Sequence, residues 1–279
     1  MIKKVNSGVA MAIRGDVAQL KKGIQRELRH NHIKVKKKTA KFRYWSSYPD
    51  PSRVIYVDPD KINSYLLESP QTDVNYRDKY EDEVAHLYDT EKAGFRQKIN
   101  IGRILEGDWD RSTRLWDNHL IYQSFIDVYC NGKDWVETDW VKAALQRIDA
   151  GYSSYGYTSK EEFLDNRIPY LEQLYDSLNE NGYLRQDEVE EDHRTGDFFH
   201  EIGVNIGRDG RFIYNNRSGQ NRLSFAKLLG LDQVPVIVIV RHEDWQKKRS
   251  RIANGRFRGG SSQERQRIRN HPDMADLIA

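Results

Sequence analysis

The run VPVIVIV, residues 234–240, is the strongest constraint in the chain. It is uncharged and β-branched at every position except Pro235, so it reads as a buried strand. Upstream, EIGVNIGRDGRFIYNN (201–216) holds two short β-rich runs around Arg208-Asp209-Gly210, and an Asp-Gly pair is a strong hairpin signal. Between hairpin and strand lie a polar turn, R-S-G-Q-N-R, and a short helix, SFAKLLG, stopped by Gly230. A helix pinned between two apolar strands therefore opens on an unusually polar turn.

Earlier segments alternate strand and helix signals. RVIYVDPDKI (53–62) predicts a strand ended by Asp58-Pro59, with a helix start at Asp60, and QKINIGRILEGDWD (97–110) predicts a strand that breaks at Gly107. From 117 to 185 the pattern is helical. One segment ends at Gly132, the next starts at a capping Thr138 and stops at Gly151, and a third opens on Ser159-x-x-Glu162 and stops at Gly182. The loop GYSSYGYTS between the last two serves as a linker or a mobile lid. Near the N-terminus, Val9, Ile13, Val17, Leu20, Ile24 and Leu28 recur at helical spacing. The C-terminal ANGRFRGGSSQERQRIRNH is Arg/Gly-rich and is expected to be flexible in part.

Charge is segregated. Residues 1–45 carry thirteen Lys or Arg against two acids, and residues 247–270 carry nine against one, so the body between them is acidic. An acidic body is a poor surface for a large nucleic-acid footprint. The basic ends, 33–43 and 247–269, are the segments that would touch nucleic acid or another polyanion. No apolar run reaches the roughly 18 residues a membrane helix needs, so no membrane partner is expected. The single cysteine, Cys130, and the lack of a signal-like apolar stretch after the basic N-terminus point to a cytoplasmic setting.

The polar turn has its own chemistry. Unpaired N–H groups and the positive dipole end make a helix N-terminus an anion site. Gly219 permits close backbone approach, Arg222 offers a forked cation, and Ser218, Gln220 and Asn221 add neutral hydrogen bonds. His242, after the last strand, is a further candidate for base or phosphate contact, against the simpler reading of a structural histidine. An ordinary N-cap beside a surface arginine is the simpler reading of the turn itself.

The pattern G-x-N-R-L-x-x-A-K-x-L-G-L-x-x-V-P-V-x-V (219–238) resembles the box of the ParB/sulfiredoxin superfamily, usually D-G-x-H-R-x-x-A-x-x-x-L-G followed by a strand opening V-P-V. The likeness is strongest over 201–245, and VIYVDPDKI looks like the opening strand of the same fold. The chain is closer still to an uncharacterised ParB-like group of archaea and phages. That group carries V-D-P, G-D-W-D, G-x-x-W-x-x-T, I-G-R-D-G, R-H-x-x-W and H-P-D, here at 57–59, 107–110, 132–138, 206–210, 241–245 and 271–273. The resemblance implies a small α+β domain whose helix N-terminus holds nucleotide phosphates, with ATP the first choice of nucleoside tri- or diphosphate, and Mg²⁺.

Two departures qualify that implication. Ser218 stands where the box has its acid and Asn221 where it has its histidine, and neither substitute serves as an acid or base near neutral pH. Gly219, Gln220 and Asn221 fill the positions around sulfiredoxin's cysteine, which argues against its chemistry. No helix-turn-helix module follows, which argues against chromosome partition. Acids for phosphoryl transfer are sought in Glu106-Gly107-Asp108-Trp109-Asp110, where Asp108 and Asp110 could share a metal or activate an acceptor. A polar loop anchored by Trp109 is the plainer reading of that segment.

The sequence thus predicts a ParB/sulfiredoxin-like α+β mixed sheet over 51–246 with a helical insertion at about 111–185, a basic helical extension at 1–50 and a basic segment at 247–279. Three functions fit it. One is a nucleotide-binding phosphotransferase or hydrolase with a small-molecule or sugar acceptor. The second is a nucleic-acid-associated protein that uses its basic ends, and the third is a non-catalytic binding or assembly protein.

Overall fold

In the computed structural model, residues 44, 47–66, 101–185, 200–215, 219–257 and 260–278 are described. The helix expected over 8–30, the basic arm at 33–43 and Ser218 lie outside them. The central strand is β7 (Val234–His242), buried at every position as its sequence demands. One edge of β7 takes two short strands end to end. β1 (Val54–Val57) pairs antiparallel with its first half, and β3 (Arg103–Leu105) pairs parallel with its last residues. The other edge takes β5 (Ile202–Ile206) in parallel, with a register shift between Val204 and Asn205. From β5 the sheet continues through β6 (Phe212–Tyr214, antiparallel), β2 (Ser64–Leu66, parallel to β6) and β4 (Thr113–Leu115, antiparallel to β2). The result is a seven-stranded mixed sheet with helices around it.

The expected hairpin is β5–β6, closed by bonds from Gly207 N to Arg211 O and from Gly210 N to Gly207 O. The helical stretch becomes α1 (Leu120–Tyr129), α2 (Asp139–Asp149) and α3 (Lys160–Asn181). Thr138 accepts from Val141 N, Ser159 accepts from Glu162 N, and Gly182 ends α3 with positive φ, each as the local signals predict. Two details differ from expectation. The stretch 111–185 is not wholly helical, because β4 lies inside it. The helix expected from Asp60 is a single 3-10 turn, Pro59–Lys61, whose start is capped by the Asp58 carboxylate.

α4 (Gln220–Leu228) ties the two halves of the core together. Leu223 and Ala226 lie in the sheet core with Val204, Tyr214, Val236 and Trp245. Phe225, on another side of the helix, joins the helical core and stacks on Phe125 with centroids 4.2 Å apart. Burying side chains of this size stabilises by roughly 1.5–3 kcal/mol each, so α4 is fixed by packing on both sides rather than by propensity.

Residues on both sides of the expected bounds 51 and 246 pack against the core. Ser47 and Tyr48 are buried, Ser47 O accepts from Gln246 Nε2 and Arg249 Nε, and Tyr48 donates to Gly102 O. The domain therefore already includes residues 47–50. The basic segment expected beyond 246 holds regular elements. These are α5 (Glu243–Ala253), α6 (Ser262–Arg269) and a 3-10 turn (Pro272–Leu277), and Ile268 and Met274 enter the sheet core. Buried Trp245, Arg249, Ile268, Asp273 and Met274 together seat the segment. Among the described residues, no helix is long and apolar enough to cross a membrane.

Candidate functional site

The predicted site residues fall into two groups at opposite ends of β5, whose first and last residues stand roughly 13 Å apart at the rise of a strand. The polar turn is at the start of β5 and the acidic segment is at its end.

At the first end, Gly219 caps α4 in the left-handed conformation, with φ +79°. A Cβ there would stand 2.6 Å from Ile202 Cγ1 and 2.8 Å from Ile202 Cα. Glycine is thus required twice, by its backbone angle and by the approach of the turn to β5. Gly219→Ala is expected to cost about 2–3 kcal/mol, the left-handed penalty plus a backbone clash, and a lowered urea midpoint with unchanged slope would register it. A glycine cap also brings no side chain to the first N–H groups of α4. Gln220 and Asn221 are half-buried on the first turn.

Arg222 turns back over this start. Its Nη2 donates to His200 O, its Nη1 stands 3.6 Å from Glu201 Oε2, and its guanidinium lies 5.5 Å from the centre of the Tyr183 ring. Further along α4, Lys227, a residue the sequence reading did not single out, reaches Asp60 with Nζ 3.5 Å from Oδ1. Burial lowers the Lys227 pKa, with Asp60 opposing. That contact ties the helix to the Val57-Asp58-Pro59 turn. The only advance signal for it was the A-K step of the box.

At the second end, Asp110 is wholly buried and its carboxylate is gripped by the hairpin. Arg208 donates to it from its backbone N at 2.9 Å, from Nε at 3.0 and 3.1 Å, and from Nη2 at 2.7 Å. The same Nη2 reaches Asp108 Oδ1 at 2.7 Å and Gly107 O at 2.8 Å. Burial pushes the Asp110 carboxyl up, but the bonds from Arg208 outweigh it and hold the pKa below its ordinary value. Asp108 is held down first by its hydrogen bond to Arg208 and then by Arg111. Glu106 is exposed beside them.

Asp108 and Asp110 were expected to hold Mg²⁺ or to activate an acceptor. With Arg208 bonded to both oxygens of Asp110, the pair does not fit a divalent cation, because the guanidinium already supplies the positive charge. Among the described residues, no group of three or more His, Cys, Asp or Glu side chains could hold a metal ion.

His242 belongs to this second end and not to the polar turn. Its Nδ1 accepts from Asp244 N at 3.1 Å, which fixes the proton on Nε2, and Nε2 donates to Gly107 O at 2.8 Å. It is thereby the N-cap of α5. The reason it stands so far from Arg222 is topological. β7 runs parallel to β5, so its last residue lies level with the end of β5.

The fold and its two end-groups define a mixed α/β protein with a glycine-capped, arginine-flanked helix start on one side of the sheet end. No family model, no curated protein and no solved structure matches the chain.

Proposed function

We propose that the protein binds a phosphate group of a nucleotide at the turn 219–222, in a fold of the ParB/sulfiredoxin type. The observation that carries this reading is the start of α4. It is a nine-residue helix opening on a left-handed glycine with no side-chain cap, with an arginine folded over the same spot. Backbone N–H groups and a guanidinium together suit a phosphate better than either does alone. The order of β6, α4 and β7 supports it further, since Gly219 at the start of α4 stands against Ile202 at the start of β5.

The reading is one of binding. Asp108, Asp110 and His242 stand at the other end of β5 and are engaged there, so they assist no transfer at Arg222. No residue here is assigned the transfer of a phosphoryl group to a small-molecule or sugar acceptor. Exposed Lys247, Arg251, Arg267 and Arg269 on α5 and α6 favour a second reading, contact with nucleic acid.

Titration of the full chain with ATP, CTP and ADP in the presence of Mg²⁺ tests the first reading. A ligand at a hundred times its dissociation constant is expected to add about 2.7 kcal/mol of stability. Arg222→Lys keeps a charge beside Glu201 but loses the fork, and should weaken binding about tenfold or more. If no nucleotide stabilises the protein, the phosphate site is wrong. A salt-dependent DNA complex that survives Arg222→Lys would assign the basic helices instead.

A further inference from the structure

The loop GYSSYGYTS, between α2 and α3, closes on a tight turn. Ser154 N donates to Tyr157 O and Tyr157 N donates to Ser154 O, each at 2.9 Å, so Tyr155 and Gly156 are its two central residues. Both have positive φ, +52° and +90°, the pattern of a type I′ turn. Asn, Asp or Gly is the usual residue at the first of these positions. Tyr155 is the only non-glycine of positive φ among the described residues. Strain of this kind persists where the surroundings impose it, and it gathers at functional surfaces.

Trp140 Nε1, in the helical core, donates to the Tyr155 hydroxyl at 3.0 Å, while the tyrosine as a whole stays 41% exposed. Arg167 of α3 places its guanidinium 4.5 Å from the centre of the Tyr155 ring, 5.1 Å from that of Tyr170 and 6.0 Å from that of Trp140. Tyr170 is half exposed, and so is Tyr152 in the same loop, whose ring lies 5.4 Å from the Arg147 guanidinium. The rings hold Arg167 by its face and leave its edge unspent. Among the described residues it makes no hydrogen bond and pairs with no carboxylate, and its Nε is buried. One turn away along α3 stand Phe163, Leu164, Tyr170 and Leu171, none of them acidic.

We propose that this patch docks a polypeptide segment carrying one carboxylate beside an apolar side chain, the carboxylate taken by the Arg167 fork and the apolar group laid on Tyr155 and Tyr170. Tyr, Trp and Arg carry most of the energy of protein interfaces, and a guanidinium already fixed against rings loses little freedom on meeting a carboxylate. The rings are exposed at a turn tip and along a helix, which suits an extended segment, whereas small acids are held in clefts. Glu161, Glu162, Asp165 and Glu172 are exposed on the other side of α3, so a polyanion is repelled where a single carboxylate is not. None of residues 219–222 takes part, so this surface stands or falls apart from the phosphate site.

The test is selection of a random peptide library on the full chain, with synthetic copies of the selected peptides measured by fluorescence anisotropy. The selected peptides are expected to share one Asp or Glu next to an aromatic or aliphatic residue, and changing that acid to its amide should weaken binding about tenfold. Arg167→Lys keeps the charge but loses the fork and should weaken binding about as much, and Tyr170→Ala about fivefold. Tyr155→Asn separates display from support. Asparagine suits the turn, so the fold is kept, and binding should still fall about fivefold. Urea midpoints show which variants are folded, and Tyr170→Ala reads the same surface should Tyr155→Asn not fold. Failure to select any peptide, selected peptides with no shared acid, or binding unmoved by both Arg167→Lys and Tyr170→Ala overturns the proposal. An oligo(dT) complex or a self-association that Tyr170→Ala abolishes overturns it too, giving the patch to nucleic acid or to a second copy of the chain.

Discussion

Replacing Asp273 by alanine is expected to remove about 3–5 kcal/mol of folding free energy, the cost of stranding buried cations whose counter-charge is gone. Asp273 is wholly buried and collects bonds from Arg241 Nε at 3.1 and 3.2 Å, Arg241 Nη2 at 2.7 Å and Trp245 Nε1 at 3.0 Å. Arg249, also wholly buried, places Nη1 3.4 Å away. Burial alone would raise the Asp273 carboxyl, but Arg241 first and Arg249 next outweigh it and hold its pKa well below the carboxylate range. The charge is thus present at every working pH. Its stabilisation is full above the ordinary aspartate pKa and is lost only in strong acid, as pH falls through the lowered value.

The variant should melt on the order of 10 °C lower, and urea unfolding measures the free energy directly. Asp276→Ala is the control. Asp276 bonds Arg249 Nη2 at 2.7 and 3.0 Å but is 27% exposed at its side chain, and Arg249 would keep Asp273 and Ser47 O. A loss equal to that of Asp273→Ala would show that burial of the pair is not what matters.

This network explains four sequence motifs that had no physical account as a string of letters. Asp110 of G-D-W-D grips Arg208 of I-G-R-D-G. His271 of H-P-D donates from Nε2 to Gly210 O in the same hairpin, and Arg241 and Trp245 of R-H-x-x-W grip Asp273. The motifs are one set of contacts around the far end of β5 and β7, serving the fold. His242 and His271 even share a device: each accepts a backbone N–H through Nδ1 to cap a helical turn and donates through Nε2 to a glycine carbonyl.

What was legible in the sequence is what acts locally. The caps Thr138 and Ser159, the stop at Gly182, the Asp-Gly hairpin and the β-branched run of β7 each carry their signal within a few residues. β2 and β4 did not, because three residues are too few for periodicity to show. α6 was hidden by composition, since QERQRIR looks like a solvated stretch until Ile268 is seen in the core. The partners of Asp110 and Asp273 lie 98 and 32 residues away, a separation that only the folded sheet brings together. The split of the candidate site has the same origin. Polarity marked the turn and the acidic segment equally well, whereas the direction of β5 decided that they never meet.

Acid should unfold this protein from an unusually high pH, and His119 is the reason. His119 is the N-cap position of α1, nearly buried, stacked on Trp116 with centroids 4.7 Å apart and met edge-on by Tyr65 at 4.9 Å. Its Nδ1 is buried and has no hydrogen-bond partner. Burial lowers its pKa from 6.5 to about 3, because the apolar rings around it cannot solvate an imidazolium. The sign follows from linkage. The unfolded chain takes up a proton near pH 6.5 and the folded chain refuses it, so stability is full above that pH and falls as pH descends toward 3. At about 1.4 kcal/mol per unit, the whole interval costs roughly 5 kcal/mol, of which about 2 kcal/mol is lost between pH 6.5 and 5, before carboxylates begin to titrate. His271, lowered by burial despite Asp273, acts in the same direction. Urea unfolding at pH 7 and pH 5 should therefore differ by at least that amount. His119→Phe keeps the stacked ring and removes both the titration and the orphaned nitrogen, so it should cut the difference by about half or more. An unchanged pH dependence in His119→Phe would mean that the imidazole is hydrated in the folded state and that the acid sensitivity belongs to other groups.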